Sequence, residues 1–420
     1  MKKVLIIGAK GMLGQELVRV FLADENYEVI AWDRKEIDIT DETQVKDKIG
    51  ALAPEIIINA AAYNAVDKTE EPAEFELAKK LNGLAPGYLA KVAKGIKIPP
   101  ACQRLSVAMA GRPNSPFTKW GKGALFVHYS TDYVFDGAKK EGYLEKDKPS
   151  PICNYGFSKL MGEQAVARVG GQYYIIRLQK LFGRSVAEIV RPFGSQSLIG
   201  QETQLRRGQN LTTDNIGTGK KSFFDVMLEL AKTKKELEVV DEELANFTYA
   251  PDLAARTKWL VDSSTRVVGA RPAKAGRQGI KNISPERSHA VGGASRRLYP
   301  FGVYHITNEG APATWYGAAK ILFEMAQQRQ AEFISASGSR NEFGMTKYED
   351  IKLIPVSGEN FPRPAKRPNH SILLNSKLPP LRPWPEALRE YLSNYLDLRN
   401  PVSLPPLLRP ALRRRLRQGE

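Results

Sequence analysis

Three residues near the middle of the chain have the types and spacing to move a proton. Thr131 lies in the stretch Ser130-Thr131-Asp132-Tyr133-Val134-Phe135-Asp136-Gly137, just after an apolar run, and Tyr155 and Lys159 follow four residues apart. Four residues is about one helical turn, so the phenol and the ammonium share a face. A fixed cation beside a phenol lowers its pKa and makes it a proton donor and acceptor. That is chemistry for reducing a carbonyl or oxidising an alcohol. A Tyr-x-x-x-Lys pair is also an ordinary surface feature, so the reading depends on the elements around it.

The start of the chain supplies them. Val4-Leu5-Ile6-Ile7 reads as a strand buried on both faces. Gly8, Gly11 and Gly14 follow, and residues 15–22 have helical periodicity. Strand, glycine turn and helix form the context a dinucleotide fingerprint requires. Gly8 permits the tight turn, Gly11 lets backbone N–H groups approach a pyrophosphate, and Gly14 allows close helix–strand packing. A second strand over 28–32 ends at Asp33, an acid placed for adenosine ribose hydroxyls and so for NAD. Arg34 can meet a 2′-phosphate and so NADP. Both stay open. A third strand is expected over 55–61, with Ala60, Ala61 and Ala62 giving a flat surface for a ring, or plain packing. A fourth, 124–129, carries Ser130 and Thr131 at its C-terminal end, the edge of an open parallel sheet where ligands bind. Further strands are expected at 173–178, 237–241 and 303–307. Helices are expected at 75–93, 155–169, 223–231, 249–261, 315–326 and 384–395.

A chain of 420 residues can bury a full core and ordinarily holds two domains. No apolar run reaches the ~18 residues of a membrane span, and the N-terminus breaks at Gly8 without a cleavage site, so a cytoplasmic protein is expected. Cys102 and Cys153 make no disulfide framework, and the four histidines lack zinc spacing, so no metal site is expected. The net charge is +16, which raises a nucleic-acid reading. Its distribution argues against one. Segments 96–122, 184–218, 264–300 and 401–420 carry net +5, +1, +7 and +4, leaving the rest at −1. Those segments have weak periodicity and read as solvated and loosely ordered.

Together the motifs resemble one family, the dTDP-4-dehydrorhamnose reductases, within the extended short-chain dehydrogenases. The likeness runs from residue 3 to about 395 and includes the glycine turn, Asp38-Ile39-Thr40, the stretch from Asn59 to Asp67, the stretch from Ser130 to Gly137, Tyr155-Gly156 with Ser158-Lys159, Gly162-Glu163, and Arg363-Pro364-Ala365-Lys366-Arg367-Pro368. The resemblance implies an α/β fold, a Rossmann-type doubly wound parallel sheet with a smaller C-terminal substrate domain. The expected division is 1–180 for the dinucleotide domain with a return segment at about 219–262, 181–218 and 303–395 for the substrate domain, and 396–420 as a basic tail. Segments 96–122, 184–218 and 264–300 look like insertions, the second of them near the substrate.

The resemblance also implies reduction of the 4-keto group of a dTDP-linked 6-deoxy-hexulose by NADPH or NADH. Tyr155 would protonate the C4 alkoxide, Lys159 would lower the Tyr155 pKa and hold the nicotinamide ribose, and Thr131 would hydrogen-bond the carbonyl oxygen. Asp132 would sit beside the sugar. Gly11, Met12 and Leu13 would meet the pyrophosphate; Asp33, Asp38 and Ile39 the adenosine half; and Ala61, Ala62 and Tyr63 the middle of the cofactor. A homodimer around Mg2+ follows from the family alone. Tyr133 stands where related dehydratases have a catalytic Glu, which disfavours a dehydratase or epimerase. An alternative is a non-catalytic subunit like the regulatory β subunit of methionine adenosyltransferase. Three departures bear on the sugar. Leu178-Gln179-Lys180 replaces Thr-Ser-Trp, putting Lys180 where the family's Trp packs on substrate. Asn64 replaces a Thr, and Glu243-Leu244-Ala245-Asn246-Phe247 replaces Gln-Phe-Gly-Ser-Pro.

Overall fold

The computed structural model describes residues 1–97, 123–183, 221–264, 299–337, 348 and 351–399. Almost all of the three expected insertions, and the tail from 400, lie outside the described residues.

Six strands form one parallel sheet: β1 (Lys2–Ile7), β2 (Tyr27–Trp32), β3 (Ile56–Asn59), β4 (Leu125–Thr131), β5 (Tyr173–Leu178) and β9 (Gly302–His305), in the order β2-β1-β3-β4-β5-β9. Alternate residues of these apolar runs face opposite layers. Val4, Ile6, Ile58, Val127 and Ile176 pack with α1 (Met12–Leu22) and α6 (Ala250–Ser264). Leu5, Ile7, Ile57, Phe126 and Ile175 pack with α2 (42–52), α3 (72–95) and α4 (Asn154–Val169). Burial on both faces explains why the runs are continuous rather than alternating. The fold is Rossmann-type and doubly wound, as expected. Strand order reverses between β1 and β3, and at such a switch point the carboxyl ends of the strands leave a crevice.

A second core gathers α5 (Phe223–Leu230), α7 (Trp315–Ser337), α8 (Trp384–Arg399) and two small parallel pairs. These are β7 (Glu236–Val240) with β10 (Lys352–Val356), and β6 (Leu181–Phe182) with β8 (Thr248–Tyr249). The expected return segment therefore divides. Phe224, Leu228, Leu237 and Val239 join the second core, and α6 alone packs back on α1.

Other boundaries differ for local reasons. β3 stops at Asn59 because its side-chain oxygen takes the Ala61 N–H at 3.2 Å, which turns the chain. The helix expected to end at Ala326 continues to Ser337, because its polar continuation still buries Gln330. Both α2 and α3 contain a π segment, Val45–Ile49 and Lys79–Leu84, and no apolar period announces either.

Candidate active site

The crevice has a wall made of backbone. Gly8 has φ 78°, and a Cβ there would lie 2.6 Å from the Ala61 nitrogen. A Cβ on Gly14 would lie 2.1 Å from the Gly8 carbonyl oxygen. The turn, the start of α1 and the loop after β3 can approach this closely only with glycine at both places. No side chain caps α1, and its first internal bond runs from the Gln15 N–H to the Gly11 carbonyl. The N–H groups of Met12, Leu13 and Gly14 precede that bond at the positive end of the helix dipole. Asp33 closes the turn from the side, accepting the Lys10 N–H at 3.1 Å and the Arg34 N–H at 2.7 Å. Such a cradle fits a dinucleotide pyrophosphate.

The opposite wall is made of side chains. Thr131 ends β4, and its hydroxyl donates to Asp132 Oδ1 at 3.0 Å. Asp132 is buried, and Ser371 donates to its other oxygen. Desolvation lifts the Asp132 carboxyl to about 6, against the hydrogen bonds from Ser371 and Thr131. Tyr155, on the first turn of α4, donates to Asn64 Oδ1 at 3.4 Å and meets the Tyr133 ring edge-on at 5.6 Å. Burial, then the Asp132 charge, push its phenol above the usual range, and a hydrogen bond with Thr131 opposes them.

Here the structure corrects the expectation of a lowered Tyr155 pKa. The helix brings Tyr155 and Lys159 to one face, but the Lys159 ammonium donates to the Tyr129 carbonyl at 2.7 Å. Burial lowers Lys159 to about 8, with the Glu163 charge opposing. Glu163 is in turn held by Arg177 through two bonds, 2.9 and 2.6 Å, both side chains buried.

The family model described as the RmlD substrate binding domain matches residues 1–99, 120–209 and 286–397. The chain belongs to this family. Spore coat polysaccharide biosynthesis protein SpsK of Bacillus subtilis is 28% identical over 93% of this chain and 97% of its own. A dTDP-4-dehydrorhamnose reductase of Burkholderia thailandensis is 28% identical over 90% of this chain and 91% of its own. The crystal structure of a dTDP-4-dehydrorhamnose reductase from Clostridium acetobutylicum superposes with a TM-score of 0.63 at 28% identity, covering 94% of this chain and 99% of that one. The first break in the family match, 100–119, falls within the expected insertion 96–122, but the second, 210–285, overlaps the other two only in part, and 184–209 and 286–300 lie inside the match.

Within this family frame the anticipated residues separate into groups. Gly8, Gly11, Gly14 and Ala61 meet at the turn, and Thr131, Asp132 and Tyr155 meet at the opposite wall. Ala62 continues the loop beside Ala61. Leu13 and Ile39 commit their side chains to the core, leaving their backbones for a ligand. Asp38 is exposed and accepts from Thr40. Tyr63 turns its phenol to Glu74 on α3. Lys180 donates to the Glu243 carbonyl at 2.6 Å and the Ala313 carbonyl at 3.3 Å. Among the described residues no three His, Cys, Asp or Glu side chains gather as metal ligands.

Three contributors escaped the sequence reading. Ser371 arrives from 239 residues beyond Asp132. Asn64 had been marked only as a departure from the family pattern. Asn82, in the π segment of α3, spends its whole amide. Its oxygen accepts the Tyr63 N–H at 2.8 Å, and its nitrogen donates to the Tyr63 carbonyl at 3.0 Å and to Ser158 Oγ at 3.1 Å. Ser158 then donates to the Tyr155 carbonyl at 2.8 Å. Asn82 thus ties the loop of one wall to the helix of the other. A π segment at that point is a signal visible only in coordinates.

Proposed function

We propose that the protein reduces the 4-keto group of a dTDP-linked 6-deoxy-hexulose, converting dTDP-4-dehydrorhamnose to dTDP-L-rhamnose with NADPH or NADH. The observation that carries this is the meeting of a protonated, buried Tyr155 with Thr131 across a crevice from the glycine turn, in a chain whose curated relatives include reductases of that name. A relative from Bacillus anthracis with the same fold was crystallised with NADP, and the cradle here fits either cofactor.

The nicotinamide, when bound, supplies the hydride to C4. The N–H groups at the start of α1 hold the pyrophosphate, and Ala61, Ala62 and Tyr63 border the middle of the cofactor. Charge then grows on the C4 oxygen, and a donor already aimed at it costs no reorganisation. Thr131 turns its hydroxyl from Asp132 to that oxygen. Tyr155 gives up its proton there, and a phenol held protonated by burial is in the right state to begin. Lys159, next along the same helix face, would hold the nicotinamide ribose hydroxyls and, turning from the Tyr129 carbonyl, stabilise the phenolate that forms. Asp132 borders the sugar. Tyr133 has no carboxylate with which to dehydrate a neighbouring carbon, so the reaction stops at reduction.

The test is to mix purified protein with NADPH and freshly prepared dTDP-4-keto-6-deoxy sugar and follow the nicotinamide absorbance. Oxidation of NADPH with formation of dTDP-L-rhamnose is expected. Tight cofactor binding without oxidation would overturn the reading.

A further inference from the structure

Lys180 departs most from the family pattern at the site, and its surroundings give it a task. It lies two positions beyond Leu178, the β5 residue in register with Thr131. Its backbone is left-handed, φ 34°, a conformation that a non-glycine residue keeps where its surroundings over-determine it. Thr248 clamps the peptides on both sides, donating its hydroxyl to the Gln179 carbonyl at 2.6 Å and its N–H to the Lys180 carbonyl at 3.2 Å. The side chain then reaches into the second core. Its ammonium donates to the Glu243 and Ala313 carbonyls. It also stands 4.2 Å from the centre of the Trp315 ring and 5.1 Å from that of Phe247.

These partners are themselves joined. Ala245 and Ala313 exchange both backbone hydrogen bonds, at 3.3 and 3.0 Å. The Trp315 indole N–H donates to Glu243 Oε2 at 2.8 Å, and Arg363 donates to the other oxygen. One cation therefore connects the carboxyl edge of the large sheet to a wall built from residues 243–245, Ala313 and Trp315. An indole at position 180 offers a single N–H and no charge for the ring face. It cannot make these contacts.

We propose that Lys180 is a positioning residue whose ammonium staples the end of β5 to the Glu243–Ala313–Trp315 wall and so fixes the width of the sugar pocket. Its kinetic consequence rests on the reductase reading; its structural consequence does not. Removing the staple weakens ground-state and transition-state binding alike, so the loss falls on KM and not on kcat.

The experiment compares Lys180→Met, which keeps the length and removes the charge, with Lys180→Arg and Lys180→Trp. Lys180→Met is expected to raise the KM for the dTDP-4-keto sugar by about tenfold, the loss of one charge-assisted contact. Its kcat and NADPH affinity stay near wild type. Lys180→Arg recovers most of the loss, and Lys180→Trp behaves like Lys180→Met. An unchanged KM in Lys180→Met, or an improved KM in Lys180→Trp, overturns the proposal, the second by making position 180 a stacking surface. An equal fall of kcat in Lys180→Met and Lys180→Arg also overturns it, by placing the ammonium at the reacting atoms. Amide hydrogen exchange on the full chain gives an arm independent of any substrate. The staple requires faster exchange at 243–245 and 313–315 in Lys180→Met, and unchanged exchange there refutes it even if the sugar proves to be a different one. Should Lys180→Met fail to fold, both readouts are taken on Lys180→Gln.

Discussion

The two walls of the crevice are made of different material. The wall at the glycine turn is backbone: a glycine turn, a helix start and a run of alanines, all within the first 62 residues. The wall around Thr131 and Tyr155 is side chains in pairs: Thr131 with Asp132, Asp132 with Ser371, Tyr155 with Asn64, Lys180 with two carbonyls. A backbone wall tolerates no added atoms but is indifferent to most residue types. A side-chain wall tolerates changes of shape but depends on each partner. On the proposed function, the first would recognise what all dinucleotides share, and the second is where one sugar would be told from another.

That contrast can be broken at either wall. The largest effect is expected for Tyr155→Phe, which removes the proton donor and keeps the ring. Turnover should fall by about 10²–10⁴-fold, while NADPH affinity, measured by fluorescence titration, stays near wild type. A variant with full activity would remove Tyr155 from the chemistry. Gly8→Ala should do the reverse. The added methyl meets the Ala61 nitrogen and the backbone sits at φ 78°, a strain of about 1–3 kcal/mol. Cofactor affinity should drop by about tenfold or more, and unaltered affinity would mean that the turn does not carry the cofactor.

Asn82→Ala tests the link between the walls. It deprives Tyr63 and Ser158 of their partner, so a stability loss of about 1–3 kcal/mol is expected in denaturant unfolding, together with reduced turnover. Loss of stability with turnover intact would make Asn82 a purely structural tie. The smallest effect concerns Asp132. Burial raises its folded pKa to about 6, above the ordinary 3.8. The folded state thus binds this proton more tightly than the unfolded one, and the stability it contributes is present below about pH 4 and lost as pH rises through 6. The melting temperature of wild type relative to Asp132→Asn should therefore fall between pH 4 and 6, and a flat difference would show that Asp132 is not desolvated.

How much was legible in the sequence follows the same division. β1, the glycine turn, β4 and the helix bearing Tyr155 and Lys159 were visible because each is local: a buried run, a spacing, a period. Thr131, Asp132, Tyr155 and Lys180 were also visible as positions, but their states were not. Tyr155 and Lys159 share a face as their spacing requires. Yet the phenol is pushed up instead of down, first by burial and then by the Asp132 charge, while the Lys159 ammonium donates to the Tyr129 carbonyl on β4. Ser371 and Glu243 contribute from segments far along the chain, and no spacing rule connects them to Thr131 or Lys180. The division of 219–262 between two cores was hidden for a similar reason. Phe224 and Leu253 look alike in sequence and part company only when the layers stack.

The buried pair of Glu163 and Arg177 constrains substitution. Two bonds join them with almost no solvent on either side chain. Losing one partner leaves the other as an uncompensated charge in the interior, a penalty of about 3–5 kcal/mol. Exchanging both for apolar residues of similar volume carries no such penalty. Losing one partner is therefore costlier than replacing the two together. Glu163 follows Lys159 by one helical turn, so that cost also guards the setting of the lysine.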